Sequence, residues 1–257
     1  MARATGCGAA RAVKNVRLDV ALVERGLAPS RERARAIILA GQVTVDGQVV
    51  SKASAPVGAQ ARVDLTVPPY PYVSRGGVKL AHALDTFRLD PQGRRALDIG
   101  ASTGGFTDVL LKRGAATVIA LDVGRGQLDW RLRNDPRVIV REAVNARALS
   151  SADVPHAVDL VTIDVAFISL GHILPALPPF LAADADVVAL VKPQFEAGRA
   201  EVGKHGLVTD PQVHETVVAR VTAQAERVGL TRIGMTPAAI TGATGNQEFF
   251  LHLTWHG

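Results

Sequence analysis

Ala96-Leu97-Asp98-Ile99-Gly100-Ala101-Ser102-Thr103-Gly104-Gly105-Phe106 is the stretch on which the fold turns. Leu97 and Ile99 suit a strand, and from Gly104 onward Phe106, Val109, Leu110 and Leu111 give an apolar stripe near helical spacing. The glycines between them let the chain turn sharply and let a ligand approach the backbone closely. In an open parallel sheet, ligands bind at the carboxyl ends of the strands, where this turn falls. The spacing Gly100-x-x-x-Gly104-Gly105 is not the G-x-G-x-x-G dinucleotide fingerprint and suits a nucleoside cofactor without a pyrophosphate. Taken alone, a purely structural strand-to-helix turn would read the same way.

Downstream the pattern repeats. Thr117–Leu121 ends in Asp122, Arg137–Val140 ends near Glu142 and Asn145, Val158–Ile163 ends in Asp164, and Asp186–Val191 ends in Lys192. Asp122 lies 24 residues beyond Asp98, and an acid at about that distance commonly holds a ribose diol. A long helix over about 210–228 follows, then strands near 231–235 and 248–254. Strands alternating with helices predict a Rossmann-like α/β domain, doubly wound on a mostly parallel sheet, with its polar residues along one edge. S-adenosylmethionine is a nucleoside cofactor of the kind this turn suits.

Upstream, Ser74–Leu80 opens a helix to about Phe87, with Leu80, Ala83, Leu84 and Phe87 as its buried stripe and Lys79 in its first turn. A cation there opposes the helix dipole, which points to a task for it. Before it, Pro68-Pro69-Tyr70-Pro71-Tyr72 reads as a semi-rigid linker. Earlier still, Leu18, Ala21 and Leu22 mark a helix closing at Gly26, and Ser30 caps a second one ending at Gly41, with Ala34, Ile37 and Ile38 on one face. Val43–Val50 is then a hairpin with an Asp-Gly turn. The predicted organisation is a basic tail over 1–15, a small α+β module over 16–67, a linker over 68–73 and the α/β domain over 74–257.

Charge separates these parts. Residues 1–69 carry 10 Lys/Arg against 5 Asp/Glu, whereas residues 70–257 carry 19 of each, so the net charge of +5 sits in the first part. That asymmetry is the footprint of a polyanion-binding module, set against a merely solvated basic face. The single cysteine, Cys7, excludes an internal disulfide framework and fits a reducing, cytoplasmic setting. No apolar run approaches the roughly eighteen residues of a membrane span. The acid-free start, which also has the composition of a transit peptide, lacks the continuous apolar core of a secretory signal.

Arg17-Leu18-Asp19, Gly26-Leu27, Ser30-Arg31, Ala34-Arg35, Gly41 and Val43-x-Val45-Asp46-Gly47 resemble the small RNA-binding domain named after ribosomal protein S-four, over residues 17 to about 65. The resemblance implies that Arg17, Arg31 and Arg35 belong to the RNA-binding face, Arg31 and Arg35 contacting phosphates. Lys79, Asp164, Lys192 and Glu248, with the glycine turn, resemble the catalytic tetrad of the FtsJ-like ribose methyltransferases. Val73–Gly77, Gly100–Phe106, Asp122-Val123-Gly124, Leu132–Val138, Asn145-Ala146-Arg147, Phe167–Leu170 and Leu190–Glu196 resemble the TlyA family, from about residue 17 to 254. That family's members transfer a methyl group from S-adenosyl-L-methionine to a cytidine ribose of ribosomal RNA, and some are labelled haemolysins. Tyr72 stands where the family's linker often has tryptophan, and Asn145 follows TlyA where FtsJ has aspartate.

The resemblance implies Asp98, Gly100, Ser102, Gly104, Gly105, Phe106, Asp122 and Asn145 as the cofactor set and Lys192 as the base, the other three tetrad residues orienting and balancing charge. The residues by themselves do not separate base from orienter. A ribose hydroxyl is a poor nucleophile until a base takes its proton. The implied partner is ribosomal RNA within ribosomal subunits, with no metal, no membrane and no obligate protein partner. Three other readings remain at this point: an RNA pseudouridine synthase, which shares the basic module but lacks the glycine turn; a non-catalytic assembly factor with a vestigial cofactor fold; and a pore-forming haemolysin.

Overall fold

The computed structural model describes residues 15–28, 30–66, 71–198 and 200–257. Most of the expected basic tail, with Cys7, and Pro68, Pro69 and Tyr70 of the linker lie outside them. The chain divides into two compact units, Met1–Pro69 and Tyr70–Gly257.

In the first unit, β1 (Val16–Arg17) runs into α1 (Leu18–Glu24), and α2 (Arg31–Leu39) follows. Then β2 (Val43–Val45) and β3 (Gln48–Val49) form a hairpin, with Asp46 and Gly47 both at positive φ, 51° and 83°. Two positive φ angles in a two-residue loop make the turn whose twist matches paired strands. Sequence periodicity did not show β4 (Pro56–Val57), which pairs with β1, or β5 (Val63–Leu65), which adds a third strand beside β2. Leu18, Leu22, Ile37, Ile38, Val43 and Val57 close a small core between helices and strands.

The second unit opens with α3 (Gly76–Phe87), then β6 (Arg95–Ile99), α4 (Gly105–Lys112), β7 (Thr117–Asp122), the short α5 (Trp130–Arg133), β8 (Val138–Glu142) and β9 (Val158–Ile163). It closes with β10 (Leu181–Val191), the one-turn α6 (Pro193–Glu196), α7 (Pro211–Glu226), β11 (Leu230–Pro237) and β12 (Phe249–Trp255). The seven strands lie in the order β11-β12-β10-β9-β6-β7-β8. β12 runs antiparallel to both neighbours, and the remaining pairings are parallel. The expected strand–helix alternation is not uniform. Residues 143–157 are irregular, and three 3-10 turns within 170–180 carry the chain from β9 to β10.

Strand side chains alternate between two cores, as a period of two requires. Ala96, Val118, Ala120, Leu160, Val188, Leu190 and Phe250 meet Leu80, Leu84, Phe106 and Leu110 of α3 and α4. Leu97, Ile99, Ile119, Leu121, Val161, Ile163, Val187, Ala189, Leu251 and Leu253 meet Val217, Val221 and Ala225 of α7 and the 3-10 turns. Helical layers on both faces make the sheet doubly wound. Strand order reverses between β6 and β9, and that switch point opens a crevice at their carboxyl ends.

Candidate active site

A cavity of about 1250 Å³ occupies the crevice, lined among others by Ile99, Gly100, Ser102, Leu121, Asp122, Val144, Asn145, Asp164, Ile168 and Phe195. Its residues come from the ends of β6, β7 and β9, from the irregular segments after β8 and β9 and, for Phe195, from α6. The turn that forms its floor is built under constraint. Gly100 has φ 83°, and a Cβ there would collide with the carbonyl oxygen of Asp164, so only glycine lets β6 and the Asp164 backbone approach. Ser102 also sits at positive φ, 47°, with its amide donating 2.8 Å to Asp122 Oδ2. Asp122 Oδ1 accepts from Gly124 N at 2.7 Å. The acid at the end of β7 thus holds two loops, and each oxygen keeps a lone pair for a further donor.

Of the expected cofactor residues, Gly100, Ser102, Asp122 and Asn145 line the cavity, and Asp98, Gly104, Gly105 and Phe106 do not. Asp98 shares the strand face of Ala96, turned toward α4, so its carboxylate is fully buried. It accepts from Thr107 Oγ1 at 2.6 Å and Thr162 Oγ1 at 3.1 Å, joining α4 to β9 beneath the turn. Burial pushes its pKa up to about 7; the two threonines oppose that shift and the Asp164 charge adds to it. A Cβ on Gly104, which has φ 96°, would strike Leu132, and one on Gly105 would strike Ser74, so both serve close packing. Phe106 is buried against Phe250, ring centroids 6.0 Å apart.

The four expected catalytic residues form two ion pairs. Lys79 Nζ lies 2.5 Å from Glu248 Oε2, both side chains almost wholly buried, so α3 is joined to the loop before β12 across 169 residues of sequence. Lys192 Nζ lies 2.5 Å from Asp164 Oδ1, at the ends of the adjacent strands β10 and β9. Asp164 lines the cavity, whereas Lys192, Lys79 and Glu248 do not.

The loops behind that pair are tied together as well. Glu196 closes α6, four residues after Lys192, and its buried carboxylate accepts from Ser169 Oγ and Leu170 N, both at 2.7 Å. Burial raises its pKa, against the pull of those two donors. The Phe167 ring, on a residue at φ 64°, lies 5.0 Å from that of Phe195. Glu196 was not among the expected site residues; an acid directly after the Lys192 strand was the available signal.

In the first unit the three expected arginines converge on one carboxylate. Arg17 Nε meets Asp19 Oδ1 at 2.9 Å, while Arg31 Nη2 and Arg35 Nε meet Oδ2 at 3.2 and 3.1 Å. Asp19 is fully buried, and the arginines are about half exposed. The guanidiniums, that of Arg17 foremost, hold the Asp19 carboxyl well below the usual carboxylate range despite its burial.

Among the described residues, no three or more His, Cys, Asp or Glu are grouped to hold a metal ion, and no helix is long and apolar enough to cross a membrane.

The model of the FtsJ-like methyltransferases matches residues 72–255, and that of the S4 domain matches residues 16–63. The chain is 48% identical over 241 residues to the 16S/23S rRNA (cytidine-2'-O)-methyltransferase TlyA of Mycobacterium tuberculosis, spanning 93% of this chain and 90% of that protein. It is 39% identical over 238 residues to Hemolysin A of Brachyspira hyodysenteriae, spanning 92% and 99% respectively. A solved structure of a candidate hemolysin from Streptococcus thermophilus superimposes with a TM-score of 0.74 at 42% identity, covering 95% of this chain and 90% of that one. The glycine turn at the switch point, the antiparallel β12 within an otherwise parallel order and the module ahead of them therefore have one reading: the chain belongs to the TlyA family of FtsJ-like methyltransferases, with a class I methyltransferase fold and an N-terminal S4 RNA-binding domain.

Proposed function

We propose that the protein transfers a methyl group from S-adenosylmethionine to the ribose 2′-oxygen of a cytidine in ribosomal RNA, acting on ribosomal subunits in the cytoplasm. The observation that carries this reading is the Lys192–Asp164 pair, 2.5 Å apart, with Asp164 lining the cavity. The cavity suits the cofactor chemically. Asp122 offers acceptor lone pairs for a diol, Asn145 offers an amide beside it, and Ile99, Leu121, Val144 and Ile168 give apolar walls for a base. When bound, S-adenosylmethionine supplies an electrophilic methyl group.

The chain's own residues then have a proton to move. Lys192, in its free-amine form, takes the proton from the ribose 2′-hydroxyl at Nζ, and the hydroxyl oxygen becomes the nucleophile. Asp164, 2.5 Å from Nζ, balances the charge of the ammonium that results. Lys79 and Glu248 balance each other's buried charge and fix the start of α3 against the end of the sheet.

The test is methyl transfer to purified bacterial ribosomal subunits, with nuclease digestion and mass spectrometry of the nucleosides. We expect 2′-O-methylcytidine; a methylated base would overturn the reading. Lys192→Ala should lower the single-turnover rate by about 10²–10⁴-fold with cofactor affinity kept. Lys192→Arg should be equally slow, because a guanidinium does not deprotonate in proteins. An active arginine variant would move the base elsewhere.

A further inference from the structure

Among the described residues of the first unit, Asp19 is the only fully buried charged side chain. It is served by more cation than its own charge requires. Arg17 binds it through two nitrogens, Nε to Oδ1 at 2.9 Å and a terminal nitrogen to Oδ2 at 3.1 Å. Arg31 and Arg35, one turn apart on α2, add bonds of 3.2 and 3.1 Å to Oδ2. Three guanidiniums around one carboxylate leave a local excess of two positive charges. Each arginine remains about half exposed, at 48%, 51% and 50% of its side chain. A guanidinium has five N–H donors, so each keeps donors beyond those it gives to Asp19.

Asp19 satisfies its own burial through this arrangement, and it does something to the arginines in return. A free arginine explores many rotamers and loses that freedom on binding a phosphate. Here the three side chains are drawn to one point before any ligand arrives, and they stay there because Asp19 remains ionised throughout the physiological pH range. We propose that Asp19 is the positioning residue of the RNA-binding face. It pre-assembles Arg17, Arg31 and Arg35 as a fixed tripod for closely spaced phosphates of folded RNA. This rests on the reading that the first unit binds ribosomal RNA.

The proposal makes an outcome that net charge alone contradicts. Asp19→Asn removes a negative charge from the binding face, so simple electrostatics expects tighter binding and a steeper dependence on salt. Loss of pre-assembly expects the reverse: binding to purified bacterial ribosomal subunits about tenfold weaker, with a shallower salt slope. Affinity equal to or tighter than the parent's, with the helix content and melting of the first unit preserved, would overturn the proposal. Arg31→Ala with Arg35→Ala belongs in the same assay. If that pair binds subunits as the parent does, the face itself is misassigned; if the pair binds weakly while Asp19→Asn does not, only the role of Asp19 fails. Should Asp19→Asn unfold the first unit, the triple change Arg17→Lys, Arg31→Lys, Arg35→Lys keeps every charge and Asp19 but replaces the planar fork by point charges. It should also bind about tenfold more weakly, and parent-like affinity would overturn the tripod.

Discussion

Asp98 sits in the quoted turn, yet its work is done below the cavity and not in it. The family resemblance implies Asp98 among the cofactor residues. Side-chain parity sends it the other way, onto the face shared with Ala96, where Thr107 and Thr162 occupy its oxygens. The consequence is a pH dependence of stability. In the folded chain its pKa is about 7 and the ordinary value is 3.8, so between these limits the native state binds more protons than the unfolded state. Stability contributed by the protonated form is therefore fully present below about pH 4 and lost as pH rises toward 7. We expect urea midpoints of the parent to fall over this window relative to Asp98→Asn, whose amide does not titrate. Parallel pH profiles for the two proteins would refute the assignment. Beyond the strand, Gly104, Gly105 and Phe106 are packed against Leu132, Ser74 and Phe250, while Gly100, Ser102, Asp122 and Asn145 line the cavity. Spacing in the sequence located the turn, but which of its residues look outward depends on neighbouring strands and helices that spacing does not describe.

The elements that were legible are those with strong local chemistry: the Asp-Gly hairpin of β2 and β3, α3 and α7 with their apolar stripes, and strands that alternate between two cores. Those that were not legible lack periodicity. β4 and β5 are two and three residues long, and the 3-10 turns of 170–180 are interrupted by prolines. One such irregular stretch is held by Glu196. Its two bonds fasten the 165–169 loop behind Asp164 to α6 behind Lys192, so two loops move as one piece. Glu196→Gln keeps the volume but leaves Ser169 Oγ and Leu170 N sharing a single oxygen acceptor. We expect kcat for methyl transfer to fall about ten- to a hundredfold through misalignment of Lys192 and Asp164, while affinity for ribosomal subunits, which we propose the first unit supplies, stays at the parent value. An unchanged kcat would mean that the Lys192–Asp164 pair holds its geometry unaided.

Over the second unit as a whole, the sheet is a partition with a core on each side, and β12 contributes to both, Phe250 to one and Leu251 and Leu253 to the other. Leu251→Ala, at a fully buried position, should destabilise the domain by about 2–5 kcal/mol, read as a lower urea midpoint by the fluorescence of Trp255 in the same strand. A midpoint equal to the parent's would show that the core around β12 tolerates the void. β12 is also the last of the seven strands in the chain, yet it lies inside the sheet, between β10 and β11. Among the described residues β11 pairs with no strand but β12, and Lys79 is separated from Glu248 by 169 residues of sequence. The β11 edge and the buried Lys79–Glu248 pair therefore both depend on the segment around β12 being in place. A chain lacking β12 would lose a strand from the middle of the sheet and not from its rim, and β11 would have nothing left to pair with.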